Sequence, residues 1–235
     1  MNADGYQLFI ANRNYSSWSL RPWVLMRELG IAFEERFVPF VEGPSGSSRE
    51  TFLAFSPTAK VPCLHHGEIV VWESLAIAEY LAERHPGVWP ADAAARAFAR
   101  SAASEMHAGF STLRNVCSMN CGLRIAISPE KLQLLSSDLS RLVELWREGL
   151  DRFGGPFLAG AHFSAADAFF APVAFRIQSF MLELPPFAMD YVQRLLDLTP
   201  MRDWYAAALA EPWRDAAHEA DSRAAGTLLE DLRNG

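Results

Sequence analysis

Residues 59–74 read AKVPCLHHGEIVVWES, and how this stretch folds decides how the rest of the chain is read. Residues 60–72 hold two short apolar runs on either side of His66-Gly67, the pattern of two antiparallel strands joined by a tight turn. Pro62 heads the first run and has no N–H to give to a ladder. That fits an edge strand. It also fits a cis Val61-Pro62 bond that turns the neighbouring amides outward, so that Val61 can pair with an extended peptide ligand. Glu73-Ser74 ends the second run and begins an amphipathic helix with Leu75, Ile77, Ala78 and Leu81 on its apolar side. Ser74 reads as an N-cap, and the free amides of such a first turn also attract a carboxylate.

Upstream, residues 6–11 (YQLFIA) read as a strand, 19–30 (SLRPWVLMRELG) as a helix ended by Gly30, and 33–40 (FEERFVPF) as a second strand. A loop at 43–48 (GPSGSS) and a short helix near 49–55 lead into the deciding stretch. The order β-α-β-α-β-β-α describes a small α/β domain with a mixed sheet. Its first strand-to-helix junction, NYSSWSLRPW at 14–23, carries Tyr15, Ser16 and Ser17. These hydroxyls either cap the helix or face a polar ligand held by unpaired amides.

PGVWPAD at 86–92 reads as a linker. Beyond it strand signals almost vanish, and helical stretches are expected at 93–115, 128–153, 166–182, 191–197 and 201–219. FSAAD places Ser164 and Asp167 at capping-box spacing, a structural role. Residues 222–235 show no packing pattern and read as a loosely held tail. The expected organisation is an α/β domain at 1–86, a linker at 87–92, an all-α domain at 93–221 and a tail at 222–235.

Composition narrows the function. Of 235 residues, 50% are hydrophobic and 21% charged, as in an ordinary globular protein. A net charge of −7 with scattered Lys and Arg argues against nucleic acid and anionic membranes as partners. The first residues, MNADGYQLFIANRN, lack the pattern of a signal peptide, and no apolar run reaches bilayer length. Three cysteines (Cys63, Cys117, Cys121) are too few and too odd for a disulfide scaffold and suit a reducing cytoplasm. Cys117 and Cys121 have no further ligand at metal spacing, and His65 and His66 point to opposite faces of a strand, so no metal site is expected.

Taken in order, the Ser-rich helix start, Val61-Pro62, Glu73-Ser74, the linker and the S-x-x-D box within a helical domain resemble the cytosolic glutathione transferase superfamily over nearly the full chain. SSWS before LRPW is most similar to the serine-type zeta class of maleylacetoacetate isomerases, whose S-S-C motif lies here; Trp18 replaces its cysteine. The resemblance implies a thioredoxin-like domain followed by a helical bundle, a homodimer, and glutathione as co-substrate without a metal. It assigns thiol activation to Ser16, with Ser17 and then Tyr15 as rivals. Lys60, Val61, Pro62, Glu73 and Ser74 would hold glutathione. Met106, Phe110, Arg114, Met119, Asn120 and Arg176 would wall the pocket of a small electrophile. The implied reaction is glutathione conjugation, with glutathione-dependent isomerisation, peroxide reduction or a non-catalytic binding module as alternatives. Thiol-disulfide exchange is disfavoured, because no cysteine stands at the helix start.

Overall fold

The computed structural model describes residues 5–40 and 48–233; the loop read at 43–48 lies outside them except for Ser48. The first half is built from β1 (Tyr6–Ile10), α1 (Ser17–Glu28), β2 (Phe33–Phe37), α2 (Ser48–Leu53), β3 (Cys63–His66), β4 (Ile69–Trp72) and α3 (Ser74–Ala82). The sheet order is β2-β1-β3-β4, with β1 and β2 parallel and the other pairs antiparallel. Leu8, Ile10 and Leu64 of the sheet meet Leu20, Val24 and Leu25 of α1 and Ile77 and Leu81 of α3 in a fully buried core. Pro22 lies inside α1, in its second turn rather than its first as expected, and gives no amide to the Trp18 carbonyl one turn back. Gly30 follows the helix at φ 66°, the left-handed conformation that glycine adopts freely.

The second half holds α4 (Ala93–Ala108), α5 (Ser111–Val116), β5 (Leu123–Ile127), α6 (Pro129–Phe153), α7 (Ala165–Ser179), α8 (Pro186–Asp197), α9 (Thr199–Ala210), α10 (Ala216–Arg223) and β6 (Gly226–Asp231). Two expectations are corrected. The helix expected at 93–115 breaks at Gly109-Phe110, and the one at 201–219 breaks at 211–215. The domain is not purely helical either, because β5 and β6 pair antiparallel across about a hundred residues of chain.

α7 is the buried axis of this half, with nearly every residue hidden from solvent. Its N-terminus is fixed by the Ser164–Asp167 capping box. The fully buried Asp167 carboxylate accepts from the Ser164 amide (2.9 Å), the Ser164 hydroxyl (3.2 Å), the Leu158 amide (3.0 Å) and the Tyr191 hydroxyl (2.9 Å). One side chain therefore ties α7 to the preceding loop and to α8.

The tail is not loose. Arg233 is buried and donates to Asp231 (Nε–Oδ1 2.7 Å) and to Glu219 (Nη2–Oε2 3.0 Å). Its stem lies where a side chain on Gly122 would be, since a Cβ there would come within 2.2 Å of the Arg233 Cγ. Burial alone would raise the Glu219 pKa, but bonds from Arg233 and Tyr15 outweigh it and hold Glu219 below its ordinary value. The hydrogen bond from Arg233 likewise lowers Asp231.

Two outcomes are expected. Asp167→Ala leaves buried donors of the loop, the helix start and α8 unpaired, and should lower the unfolding free energy by about 3 kcal/mol in urea titration. For Glu219 and Asp231 the folded pKa lies below the unfolded one, so their stabilisation is complete above the ordinary carboxylate range of about 4 and is lost as pH falls through the folded values. Hydrogen exchange at β6 amides should therefore speed up in acid, below about pH 4, before it does in the α1 core.

Candidate functional site

The junction between β1 and α1 is held from the helical half. The Arg13 amide donates to both oxygens of buried Glu211 (2.9 and 3.0 Å), and the Arg13 carbonyl accepts from the Trp204 indole (3.0 Å). Asn14 donates to the Ala208 carbonyl and accepts from the Gly122 amide (3.2 Å). The three hydroxyls that follow are thereby set in different directions.

Tyr15 is buried, and its hydroxyl donates to Glu219 (2.8 Å). Burial and that acceptor push its pKa well up, so its proton is committed away from any thiol. Ser17, in the first turn of α1, accepts from the Arg176 guanidinium (3.3 Å). Ser16 is the N-cap of α1; among the described residues its hydroxyl bonds only within its own turn, donating to the Ser19 hydroxyl (2.7 Å). Ser16 lines a cleft of about 380 Å³ that Tyr15, Trp18, Phe40, Lys60, Val61 and His218 also line. A second compartment of about 250 Å³ adjoins it, bordered by Trp18, Thr58, Lys60, Val61, Pro62 and Glu73.

The deciding stretch of the sequence forms the floor of this second compartment. Val61-Pro62 is cis, and Pro62 precedes β3 without entering it. Glu73 closes β4 at φ 67°, a left-handed conformation that a non-glycine residue adopts only when its surroundings enforce it. It exposes the start of α3, where Ser74 is buried and its hydroxyl has no hydrogen-bond partner among the described residues. A buried hydroxyl beside the unpaired amides of a helix N-terminus is a receptor for an anionic group.

Behind Glu73 lies a buried cationic cluster. Arg21 is 1% exposed, and its Nε and Nη1 have no acceptor among the described residues. It stacks under the Trp18 ring (4.1 Å to the centroid), which Arg114 also approaches (5.4 Å). Burial and the neighbouring Arg176 and Arg114 pull the Arg21 pKa well down, and burial lowers Arg176 to about 10. Arginine does not surrender its proton in proteins, so a buried positive charge with unpaired Nε and Nη1 among the described residues lies beside Trp18.

The walls expected for an electrophile are placed otherwise. Met106, Phe110, Met119, Asn120 and Arg176 are buried, and neither they nor Arg114 line the two compartments. Asn120 instead donates to Glu219 (2.9 Å), and Arg176 donates to the Cys117 carbonyl (2.8 Å). Helical spacing alone cannot separate a pocket wall from a core. Trp18, Thr58, Phe40, Phe52 and His218 line the clefts but were not foreseen. Trp18 was legible as an aromatic beside the serines; His218 arrives on α10 from far along the chain. The three cysteines are buried and free, and burial pushes the Cys63 thiol up to about 11 and Cys117 to about 12. Among the described residues no three His, Cys, Asp or Glu side chains are grouped to hold a metal.

Two family models match. Glutathione S-transferase, N-terminal domain, covers residues 15–84, and Glutathione S-transferase, C-terminal domain, covers residues 126–207. The chain is 27% identical over 186 residues to Glutathione S-transferase 1 of Dianthus caryophyllus, covering 78% of this chain and 82% of that protein. It is 25% identical over 189 residues to the maleylacetoacetate isomerase of Rattus norvegicus, covering 80% of this chain and 85% of that one. A crystal structure of a glutathione transferase homologue from Burkholderia with bound glutathione superposes with a TM-score of 0.61 at 24% identity, covering 87% of this chain and 97% of that one. With both family models in order along the chain and the mixed sheet, cis Val61-Pro62 and Glu73-Ser74 helix start in place, the chain belongs to the cytosolic glutathione S-transferase superfamily.

Proposed function

We propose that this enzyme conjugates glutathione to a small electrophile, with the Ser16 hydroxyl donating to the glutathione sulfur and holding it as thiolate. The observation that carries the reading is that, of the three hydroxyls at the β1–α1 junction, Ser16 alone both lines the cleft and has no partner outside its own turn. A free thiol has a pKa of about 8.5, and lowering it by about two units is worth roughly 2.7 kcal/mol. A hydrogen bond to an anion and the positive end of α1 are each worth about 1–2 kcal/mol, and together they reach that value.

In this reading the Val61 backbone pairs with the cysteinyl unit, and Glu73 and Ser74 take the γ-glutamyl end. The unpartnered Ser74 hydroxyl and the field of Arg21 favour its carboxylate. Exposed Lys60 faces the glycyl carboxylate. Conjugation is placed ahead of isomerisation because Trp18, not a cysteine, follows Ser17 and roofs Arg21. The enzyme is assigned to the cytoplasm on its three free, buried cysteines. It is assigned as a homodimer because edge strand β4 leaves Ile69, Val70 and Trp72 exposed for a second copy to cover.

The test is a pH titration of the thiolate absorbance of bound glutathione. The wild type should show a bound-thiol pKa of about 6.5; Ser16→Ala should return it to about 8.5 and cut kcat/KM about a hundredfold, while Ser17→Ala and Tyr15→Phe leave it within half a unit. A folded protein with no bound thiolate in any variant would put the binding-module reading first. Sedimentation equilibrium should give twice the chain mass for the wild type and a lower mass for Trp72→Glu.

A further inference from the structure

His218 is the one imidazole on the wall of the Ser16 cleft, and it is held on every side but one. Its ring is stacked on Tyr15 (centroids 5.1 Å, 25° between planes) and on Phe40 (5.5 Å, 14°). Its Nδ1 lies 2.7 Å from Asp215 Oδ1, and its own amide donates to the same oxygen at 3.0 Å. Asp215 is the N-cap of α10, so the carboxylate is fixed by the helix start that it caps. Nε2 has no hydrogen-bond partner among the described residues, and the side chain is 34% exposed, so the ring is reachable from the cleft. A ring clamped by two aromatic faces, oriented at one nitrogen by a carboxylate and open at the other, is the arrangement of an acid–base group. The neighbouring acid cannot take that part, because Glu219 is committed to Arg233, Tyr15 and Asn120. The cations that border the cleft, Lys60 and Arg49, are exposed at its rim.

We infer that His218, oriented by Asp215, is the proton-transfer residue of this site, and that it fits the enzyme to electrophiles whose thiol adduct must be protonated at carbon, the α,β-unsaturated carbonyls. The inference rests on the glutathione reading above. The thiol held by Ser16 gives up its proton to solvent on binding, and Nε2 takes one up from solvent. The thiolate then forms a C–S bond to the β-carbon, the C=C electron pair moves into the enolate, and the imidazolium gives its proton to the α-carbon. One thiol and one alkene give one thioether; nothing is oxidised, and no further reactant is consumed. Aromatic substitution, in which chloride leaves as an anion, needs no such protonation.

The experiment compares trans-2-hexenal with 1-chloro-2,4-dinitrobenzene on the same full-length protein with glutathione. His218→Gln should lower kcat for the enal about a hundredfold, at the low end of what general acid–base groups contribute, and change the aryl chloride rate less than threefold. Asp215→Asn should lower the enal rate about tenfold with the same selectivity. His218→Ala leaves a slot between Tyr15 and Phe40, and added imidazole should restore enal turnover several-fold without affecting the aryl chloride. Equal losses on both electrophiles, no loss on either, or a wild type active on the aryl chloride but not on the enal would overturn the inference and leave the transferase reading standing. A wild type that binds no glutathione would remove both.

Discussion

A buried carboxylate without a counter-ion is stable only if donors surround it, and Asp167 collects four of them from three parts of the chain. Because those bonds fix where α7 begins, they fix the helix against which α1 packs. The position of α1 in turn sets its N-terminus, and with it Ser16. The proposed thiol-activating hydroxyl is therefore located by a side chain that never reaches solvent and sits in the other half of the molecule. The neighbouring packing is consistent with such rigidity: Trp146 packs edge-on against Tyr191 at 4.9 Å, and Pro172 is accommodated inside α7.

The same logic governs the β1–α1 loop. A loop carries unpaired backbone groups, and here the helical half satisfies those of Arg13 through Glu211 and Trp204, while Ala208 and Gly122 hold the Asn14 side chain. Burial raises the Glu211 carboxyl, although Arg13 bonds oppose the effect. The site is accordingly a product of two domains pressed together. The polar floor comes from the sheet, the orientation of the hydroxyls from the bundle, and the far wall from α10.

What the sequence made legible was local. The Val61-Pro62 turn, the Glu73-Ser74 helix start, the Ser164–Asp167 box and the hydroxyl cluster each need only a few adjacent residues to declare themselves. The β5–β6 pair was hidden because LRIAI at 123–127 and GTLLED at 226–231 lie about a hundred residues apart, and only the fold puts them in register. The hydroxyls were ranked, Ser16 before Ser17 before Tyr15, only through the family resemblance, since the contacts that set them apart, Arg176 on Ser17 and Glu219 on Tyr15, come from far along the chain. Met106, Phe110 and Met119 show the converse: their apolar character was read correctly, but burial in the core and exposure to a pocket leave the same imprint on a helical pattern.

The Arg233–Glu219–Tyr15 chain of contacts has a temporal meaning as well as a spatial one. Synthesis proceeds from the N-terminus, so the sheet with α1 and α3 is made first, with only its part of the apolar core that the two halves share. The residues that clamp Tyr15 and wall the cleft are made more than a hundred residues later. The cleft beside Ser16 is therefore complete only once the segment around Arg233 has been made and has docked. The α10 wall of the candidate site and the clamp on Tyr15 are thus made long after the hydroxyls that they enclose.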